Sequence, residues 1–256
     1  MPRITRQISS TKVYHIILRG IDKQDIFLSE KDYNKFLEIL KETKKQYEYY
    51  IYSYCLMNNH VHMIIYDKYD NLPKIMQSIA IRYSIYFNKK YNRVGHLFQN
   101  RYLSKKIENH EYLKTACRYI HQNPQKAEIE RTENYKWSSY QEYIGKKSII
   151  NEEMLLLLFD KDEEEAKKEF VKFHSMKSNT EISDLIEYEM KEKMTDEEVI
   201  KYIYEILKID NYHKILEFNV KKRNQMISKI KENKKITSSQ ISRVLGLNRK
   251  IIERIK

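Results

Sequence analysis

Two histidines, His60 and His62, are separated by one residue in the segment HVHMIIY, whose composition is typical of a β-strand. Side chains two positions apart on a strand point to the same face, so the two imidazoles are expected about 7 Å apart. Val61 points to the opposite face. Two imidazoles on one face can hold a divalent metal ion. The same spacing also fits a pair of surface histidines on an edge strand, so it does not establish a metal site alone.

Tyr119 and Asn123 lie four residues apart in a segment that predicts a helix over 110–123. Residues at i and i+4 share one helix face. Asn123 can give a metal ion an oxygen ligand, and the Tyr119 phenol beside that ion can act as a nucleophile. A phenol has a pKa of about 10, and a nearby cation stabilises its anion. Ordinary packing of Tyr119 and a helix-end role for Asn123 explain the residues equally well when each is taken alone.

The elements that must position these residues follow from hydrophobic patterning and from turn residues. The sequence predicts strands at 13–19, 49–57 and 60–66, with a turn at Asn58 and Asn59 joining the last two. It predicts helices at 30–46, 72–90, 110–123 (ending near Pro124) and 137–144, and a strand or irregular hairpin at 94–107. This order predicts an α+β fold with an antiparallel sheet and packed helices, followed by an all-helical region.

Charge and aromatic residues are unevenly distributed along the 256 residues. The formal net charge is +12, and 18 of the 22 tyrosines fall within residues 1–150. Residues 151–220 sum to −9, whereas residues 221–256 sum to +10. Basic surfaces that contain aromatic side chains suit nucleic acid, because cations neutralise phosphates and rings stack on unpaired bases. A lysine-rich solvated surface with tyrosines in the core gives the same composition.

The basic tail predicts two short helices, at 238–245 and 249–256, separated by Gly246 and Leu247. Thr237 with Gln240 forms a capping-box pattern, and Asn248 is suited to cap the second helix. A helix near 223–232 completes a three-helix unit. The pattern resembles a helix-turn-helix, in which Arg249 and Lys250 on the second helix face DNA. A basic helical hairpin that binds another partner is the alternative.

Taken together, the segments NNHVHMII, YIHQNPQKA and WSSYQEYI resemble the single-tyrosine HUH transposases, in which HUH denotes histidine, hydrophobic residue, histidine. The similarity is closest to the REP-associated tyrosine transposase group. It extends over about residues 10–145 and includes YHIILRG and GHLFQNRY. The resemblance implies the ferredoxin-like fold of HUH endonucleases.

By this resemblance, His60 and His62 are metal ligands, Asn123 occupies the third-ligand position, and Tyr119 is the catalytic nucleophile. The neighbouring Gln122 points about 100° away around the helix. The implied reaction is transesterification on single-stranded DNA through a 5′-phosphotyrosine, assisted by Mg²⁺ or Mn²⁺. His121 also points away from the site and is assigned a structural role.

Six basic residues around the second helix and the following hairpin are candidates for contacts with the DNA backbone. They are Arg82, Lys89, Arg93, Arg101, Lys105 and Lys106. The expected partner is single-stranded DNA, with recognition of a hairpin left open. A homodimer is also left open, since some relatives exchange the tyrosine helix between subunits. A non-catalytic DNA-binding regulator derived from such a transposase is the alternative function.

The expected organisation has three parts: a catalytic domain at 1–148, an acidic helical region at 149–220 and a DNA-binding segment at 221–256. No apolar run reaches the ~18 residues of a membrane span, and the first ten residues lack the apolar core of a secretory signal. Cys55 and Cys117 form neither a CxxC pair nor a disulfide framework. These features favour a cytoplasmic enzyme.

Overall fold

The computed structural model describes residues 8–99, 101–145, 149–176, 194, 196–233 and 235–255. Contacts divide the chain into two compact units, with described residues up to Met176 in the first and from Met194 in the second. The first unit contains four strands, β1 (Val13–Arg19), β2 (Tyr50–Met57), β3 (His60–Tyr66) and β4 (Leu103–Ile107). Its helices are α1 (Glu30–Tyr47), α2 (Leu72–Lys90), α3 (His110–Lys126), α4 (Tyr140–Tyr143), α5 (Glu153–Leu156) and α6 (Glu163–Ser175).

The four strands form an antiparallel sheet in the order β2-β3-β1-β4. The chain enters β1, crosses by α1 to β2, turns into β3 and crosses by α2 to β4. Each crossover therefore places one strand between the two that it connects, as in a ferredoxin-like βαββαβ arrangement. The predicted antiparallel sheet with packed helices is confirmed.

The register of the sheet decides which residues share a face with His60 and His62. Directly opposite residues point to the same side of an antiparallel pair. On β1, Arg19 lies opposite His60, and His15 lies two positions beyond the partner of His62. On β4, Lys105 lies opposite His15. This side of the sheet is named the histidine face, and α3 packs against it, since His121 hydrogen-bonds to Ser53 of β2.

The opposite side of the sheet holds the main apolar core. Leu18, which alternates with Ile17 and Arg19 on β1, lines a cleft together with Pro73 and Met76 of α2. Helix α1 packs on α2 through an aromatic cluster in which Phe36 meets Tyr83 edge to face at 5.0 Å. Burial of this large apolar surface supplies the main driving force for forming the sheet.

Gly20 directly follows Arg19 at the end of β1 and allows two backbone segments to approach closely there. A Cβ atom at this position would lie 2.3 Å from the carbonyl oxygen of Gln24 and 2.9 Å from a methyl group of Ile26. The backbone can approach so closely only without a side chain. Its amide donates to the carbonyl of Asn59 at 2.9 Å, so the end of β1 is attached to the turn that precedes His60.

Helix α3 continues past the predicted end, and Pro124 lies inside it. Proline has no amide hydrogen and cannot donate to the carbonyl of Ile120. The side-chain amide of Asn123 instead donates to the carbonyls of Tyr119 at 2.8 Å and Ile120 at 3.4 Å. The expectation that the helix ends near Pro124 is therefore wrong by about one turn, because a side chain replaces the missing donor.

Two other predicted elements are shorter in the structure. Among the described residues of 94–107, the only strand is β4, and Phe98 forms an isolated bridge with Gly20. Within residues 137–144 only α4 is helical, since Trp137 and Ser138 pair with β2 instead. In both places, backbone hydrogen bonds to a neighbouring strand outweigh the secondary structure that the local sequence favours.

The compact units differ from the three predicted segments. Residues 149–176 belong to the first unit, where α6 packs against α3 and Arg118 lies 4.1 Å from the ring centre of Phe173. The helix at Asp196–Leu207 shares a buried core with the basic tail through Val199 and Ile203. The expected boundaries near 148 and 220 thus do not separate the packed units, and the first falls at residues 146–148, outside the described residues.

The regular secondary structure in the described residues of the second unit is entirely helical. Its helices are α7 (Asp196–Leu207), α8 (Val220–Lys231), α9 (Ser238–Leu245) and α10 (Arg249–Arg254), with a short 3₁₀ turn at Tyr212–Leu216. Thr237 and Gln240 form the predicted capping box, and Asn248 caps α10 by accepting from the amide of Lys250. Gly246 ends α9 in the left-handed conformation, with φ of +67°. No helix in the described parts of either unit has the length and apolar character to span a membrane.

A buried carboxylate links α1 to α2. Asp32 is fully buried and accepts hydrogen bonds from Tyr86, Tyr91 and Lys90. Burial alone would raise the pKa of the Asp32 carboxyl, but the hydrogen bonds from Lys90 and Tyr91 outweigh this effect and lower its pKa to about 2. A carboxyl group with a lowered folded-state pKa stabilises the fold above its unfolded pKa, and this stability is lost as the pH falls through the folded value.

We expect Asp32→Asn to lower the free energy of unfolding at pH 7 by about 2 kcal/mol, because the ionised carboxylate is lost. The difference from the wild type should shrink as the pH falls from about 4 towards 2. Urea denaturation at several pH values measures this, and Asp25→Asn, at an exposed position, is the control. An unchanged difference at low pH would contradict the assignment.

Candidate active site

Three histidines meet on the histidine face rather than two. The rings of His60 and His62 are 4.9 Å apart between centroids and nearly perpendicular. The Nδ1 atom of His62 is 3.1 Å from Nε2 of His15, on the neighbouring strand. His15 and His62 are buried, whereas His60 at the strand end is half-buried. The alternation predicted for β3 is thus observed, with both imidazoles on one side of the sheet.

The hydrogen bonds of these rings leave two nitrogen atoms available to a ligand. The Nδ1 atom of His60 donates to Oδ1 of Asn59 at 2.6 Å, which leaves a lone pair on Nε2. The Nε2 atom of His62 is buried and has no hydrogen-bond partner in the structure. A buried polar atom without a partner is costly, and a metal ion would satisfy it. The donor set therefore fits a divalent cation.

Burial keeps the three imidazoles neutral at neutral pH. It lowers the pKa of His60 to about 4, with a further contribution from the positive charge of Arg19. It likewise lowers the pKa of His15 to about 3, assisted by Lys105. The pKa of His62 lies well below its usual value for the same reason, with smaller effects from His60 and His15. Neutral imidazoles have the lone pair that metal binding requires.

Helix α3 places Tyr119 next to this cluster. The Tyr119 ring is 5.8 Å from the His62 ring and 6.3 Å from the His15 ring, both in edge-on geometry. The ammonium group of Lys126 lies 4.7 Å from the centre of the Tyr119 ring. The side chain is only 4% exposed. A polynucleotide can reach the phenol only after the groups that cover it have moved.

Asn123 is half-buried one turn after Tyr119. Its amide nitrogen donates to carbonyl groups of its own helix, as described above. Metal coordination by this residue would use the other atom of the amide, Oδ1. Gln122 is turned away from the sheet, since its amide donates to the carbonyl of His174 on α6. His121 contacts Ser53, Ser139 and His174.

Of the basic residues predicted to contact DNA, Lys105 lies nearest the histidine cluster. It is paired with His15 across the β1–β4 ladder and lies 5.5 Å from the centre of the Tyr112 ring. The others have different surroundings. Arg82 forms an ion pair with Glu42, Lys106 one with Glu108, and Arg93 donates to Gln24, while Lys89 and Arg101 are exposed.

In the second unit, Arg249 and Lys250 begin α10. Arg249 is ion-paired with Glu253 at 2.5 Å, and Lys250 is exposed. Ile241 and Leu245 of α9 and Ile252 of α10 are buried in the core of this unit. Ile251 of α10 is 40% exposed.

The sequence analysis missed His15 and Arg19, although both lie on β1 at the spacing that places them on one face. The segment YHIILR contains His15 and Arg19 four positions apart, and this spacing is a usable signal on a strand. It becomes informative only when β1 is known to lie beside β3. That neighbourhood follows from the sheet order and not from local sequence.

A comparison with protein-family models agrees with the resemblance. Residues 9–123 match the family model Y1_Tnp, described as transposase IS200 like. This confirms the family resemblance, and the matched segment contains His60, His62, Tyr119 and Asn123. It ends before α6.

Two solved structures are similar to parts of the chain. One is described as a REP-associated tyrosine transposase bound to a REP hairpin, with 15% identity, a TM-score of 0.49 and coverage of 57% of this chain and 87% of that chain. The other is a candidate transposase from Deinococcus radiodurans R1, with 14% identity, a TM-score of 0.34 and coverage of 50% of this chain and 98% of that chain. A comparison with curated proteins yields no match.

The hydrogen bond between His15 and His62 provides a test of the site's architecture. His15→Phe should lower the free energy of unfolding by about 1–3 kcal/mol, because Nδ1 of His62 is then buried without a partner. His15→Gln, which retains an acceptor, should recover part of this loss. Chemical denaturation measures both variants. Equal stability of the Phe variant and the wild type would show that the hydrogen bond is not formed.

Proposed function

We propose that this protein is a transposase that cleaves and rejoins single-stranded DNA through Tyr119, since residues 9–123 match the model of the IS200-like transposase family. The observation that carries the proposal is the buried, unpartnered Nε2 of His62 next to the Tyr119 ring. The phenol that would act as the nucleophile therefore lies beside the imidazoles that would hold the metal, and both would contact one phosphate group of the DNA.

In the proposed reaction, the phenolic oxygen of Tyr119 attacks the scissile phosphorus. A bond forms between that oxygen and phosphorus, and the bond from phosphorus to the 3′ oxygen breaks. The leaving strand takes up a proton as a 3′-hydroxyl, and the 5′ phosphate remains attached to the tyrosine. A second 3′-hydroxyl then attacks the phosphotyrosine and restores a phosphodiester. The number of ester bonds is conserved, so no nucleotide hydrolysis is needed.

His60 and His62 would hold the metal ion through their Nε2 atoms, with Oδ1 of Asn123 as the third ligand. A bound Mg²⁺ or Mn²⁺ would neutralise negative charge on the phosphate during attack. The chain's own cations support the same step. Lys126 lies over the Tyr119 ring, where positive charge favours the phenolate.

Arg19 and Lys105 lie at two edges of the histidine cluster, since each is the ladder partner of one of its histidines. Both are positioned to neutralise the phosphates that flank the scissile one. The remaining basic candidates, Arg82, Lys89, Arg93, Arg101 and Lys106, extend the proposed path of the DNA backbone.

For the second unit, we propose that α9 and α10 form a DNA-binding helix-turn-helix. The capped helices, the left-handed Gly246 between them and the exposed Lys250 support this assignment. Arg249 and Lys250 at the start of α10 would contact phosphate groups or base edges.

Replacement of the nucleophile tests the catalytic proposal. With single-stranded DNA and Mn²⁺, the wild-type chain should form a covalent adduct that denaturing electrophoresis resolves, and Tyr119→Phe should form none while still binding DNA. Tyr112→Phe, on the same helix, is the matched control and should form the adduct. An adduct formed by Tyr119→Phe would exclude Tyr119 as the nucleophile. DNA binding without any wild-type adduct would favour the regulator.

A charge substitution tests the proposed role of α10. In the full chain, Arg249→Ala with Lys250→Ala should weaken DNA binding and reduce the slope of log K against log salt by about two, because two phosphate contacts are lost. The control is Lys221→Ala with Lys222→Ala on α8, which removes the same charge. Fluorescence anisotropy over a salt series measures both. Equal losses in the two variants would contradict a specific role for α10.

A further inference from the structure

A second cluster of metal-ligating residues lies between α3 and α6, on the part of α3 that faces β2, where His121 contacts Ser53. Cys117 and His121 are each two residues from Tyr119, so their side chains leave α3 in a direction different from that of Tyr119. Both are completely buried. His174 of α6 packs against them and is 4% exposed. The ligand atoms of these three residues all lie within 4.8 Å of one another.

The distances suit a small transition-metal ion. The Nδ1 atom of His121 is 3.0 Å from Nε2 of His174 and 3.7 Å from Sγ of Cys117. Nitrogen and sulfur ligands bound to zinc at their usual bond lengths in tetrahedral geometry are separated by about 3.3–3.7 Å. The two distances from His121 need changes of only a few tenths of an ångström to reach these values, and the distance from Sγ of Cys117 to Nε2 of His174, which lies within 4.8 Å, needs a change of at most about 1.2 Å.

The outer nitrogen of each imidazole has a hydrogen-bond partner. The Nδ1 atom of His174 donates to the carbonyl of Phe170 at 2.8 Å, which leaves the lone pair on Nε2 facing His121. The Nε2 atom of His121 is 2.7 Å from the hydroxyl of Ser139. Ligating histidines characteristically hold their second nitrogen in such a bond, which fixes the ring and its tautomer.

Two proton arrangements are compatible with the hydrogen-bond partners of the outer nitrogens. In one, the Ser139 hydroxyl donates to His121, and Nδ1 of His121 donates to His174. In the other, Ser139 donates to the carbonyl of Tyr54, which is 3.2 Å away, and accepts from Nε2 of His121. The lone pairs of His121 and His174 then converge, and a cation between them removes their repulsion. The thiol of Cys117 next to the same point supplies a ligand that carries negative charge when deprotonated.

We propose that Cys117, His121 and His174 bind a zinc-class transition-metal ion that joins α6 to α3. Thiolate and imidazole ligands select such ions over Mg²⁺. His174 also lines a cleft with Gln122 and Tyr140, which gives the ion a path from solvent. The site shares no residue with the cluster of His15, His60 and His62. Its third ligand lies outside the segment that matches the transposase family.

The proposed ion would hold the tyrosine helix in place. Helix α6 already contacts α3 through Gln122, which donates to the carbonyl of His174, and through Arg118, which lies against Phe173. Metal bonds to Cys117 and His121 would cross-link α6 to α3 at two positions, one before and one after Tyr119 in the sequence. Metal removal should therefore loosen α3 without removing any group proposed to act on DNA.

Cobalt substitution tests this site in the full chain. After treatment with a chelator, the protein is titrated with Co²⁺ and followed by absorption spectroscopy. The proposal predicts one thiolate-to-cobalt charge-transfer band per chain and visible bands typical of low coordination number. Cys117→Ser should lose the charge-transfer band. Cys55→Ser, which alters the other buried cysteine, and His62→Ala, which alters the proposed catalytic metal site, should retain it.

Thermal unfolding with Zn²⁺ gives a second readout, which does not depend on catalysis. At a free zinc concentration about a hundred-fold above Kd, the wild-type Tm should rise by roughly 5–10 °C. His174→Gln should lose most of this shift, and His62→Ala should keep it. A charge-transfer band that survives in Cys117→Ser, or a zinc shift that survives in His174→Gln, would overturn the proposal. So would the absence of cobalt and zinc binding by the wild type.

Discussion

The hydrogen bond between His15 and His62 joins neighbouring strands whose residues are 47 positions apart in the chain. It occupies one nitrogen of His62 and thereby determines which nitrogen remains for a ligand. The position of α3 over the same sheet face then brings the Tyr119 ring beside that imidazole. The proposed chemistry depends on both contacts, because neither β3 nor α3 alone carries a complete site.

Burial has two opposing effects at this site. It keeps the imidazoles neutral and able to bind metal, since removing charge from water is costly. It also covers the Tyr119 side chain, which is 4% exposed. A transposase with this arrangement must expose its nucleophile when DNA binds. The contacts of α6 with α3 oppose large movements of that helix.

The local sequence correctly predicted the boundaries of those elements whose ends are determined by hydrophobic patterning and turn residues. Strands β1 and β3, helix α2 and helix α9 begin and end where hydrophobic periodicity and turn residues place them. The end of α3 was mispredicted because the Asn123 side chain compensates for Pro124, a contact that propensity does not include. The short α4 was mispredicted because pairing with β2 competes with helix formation. These differences arise from contacts between distant segments.

The same distinction applies to the site. Spacing identified His60, His62, Tyr119 and Asn123, because strand and helix periodicities are local. His15, Arg19 and His174 depend on which strands and helices are neighbours in the fold, and this information is non-local. The two compact units were likewise not visible in the charge pattern, since acidic α7 and the basic tail share one apolar core.

The most direct measurement of the central claim is electron–nuclear double resonance of the full chain with bound Mn²⁺. The account predicts couplings from two imidazole nitrogens, with one lost in His60→Ala and one lost in His62→Ala. His213→Ala, on the 3₁₀ turn of the second unit, should leave both couplings unchanged. If Mn²⁺ shows only water and phosphate ligands, or if its nitrogen couplings survive both substitutions on β3, the histidine face does not bind the metal and the proposed chemistry is wrong.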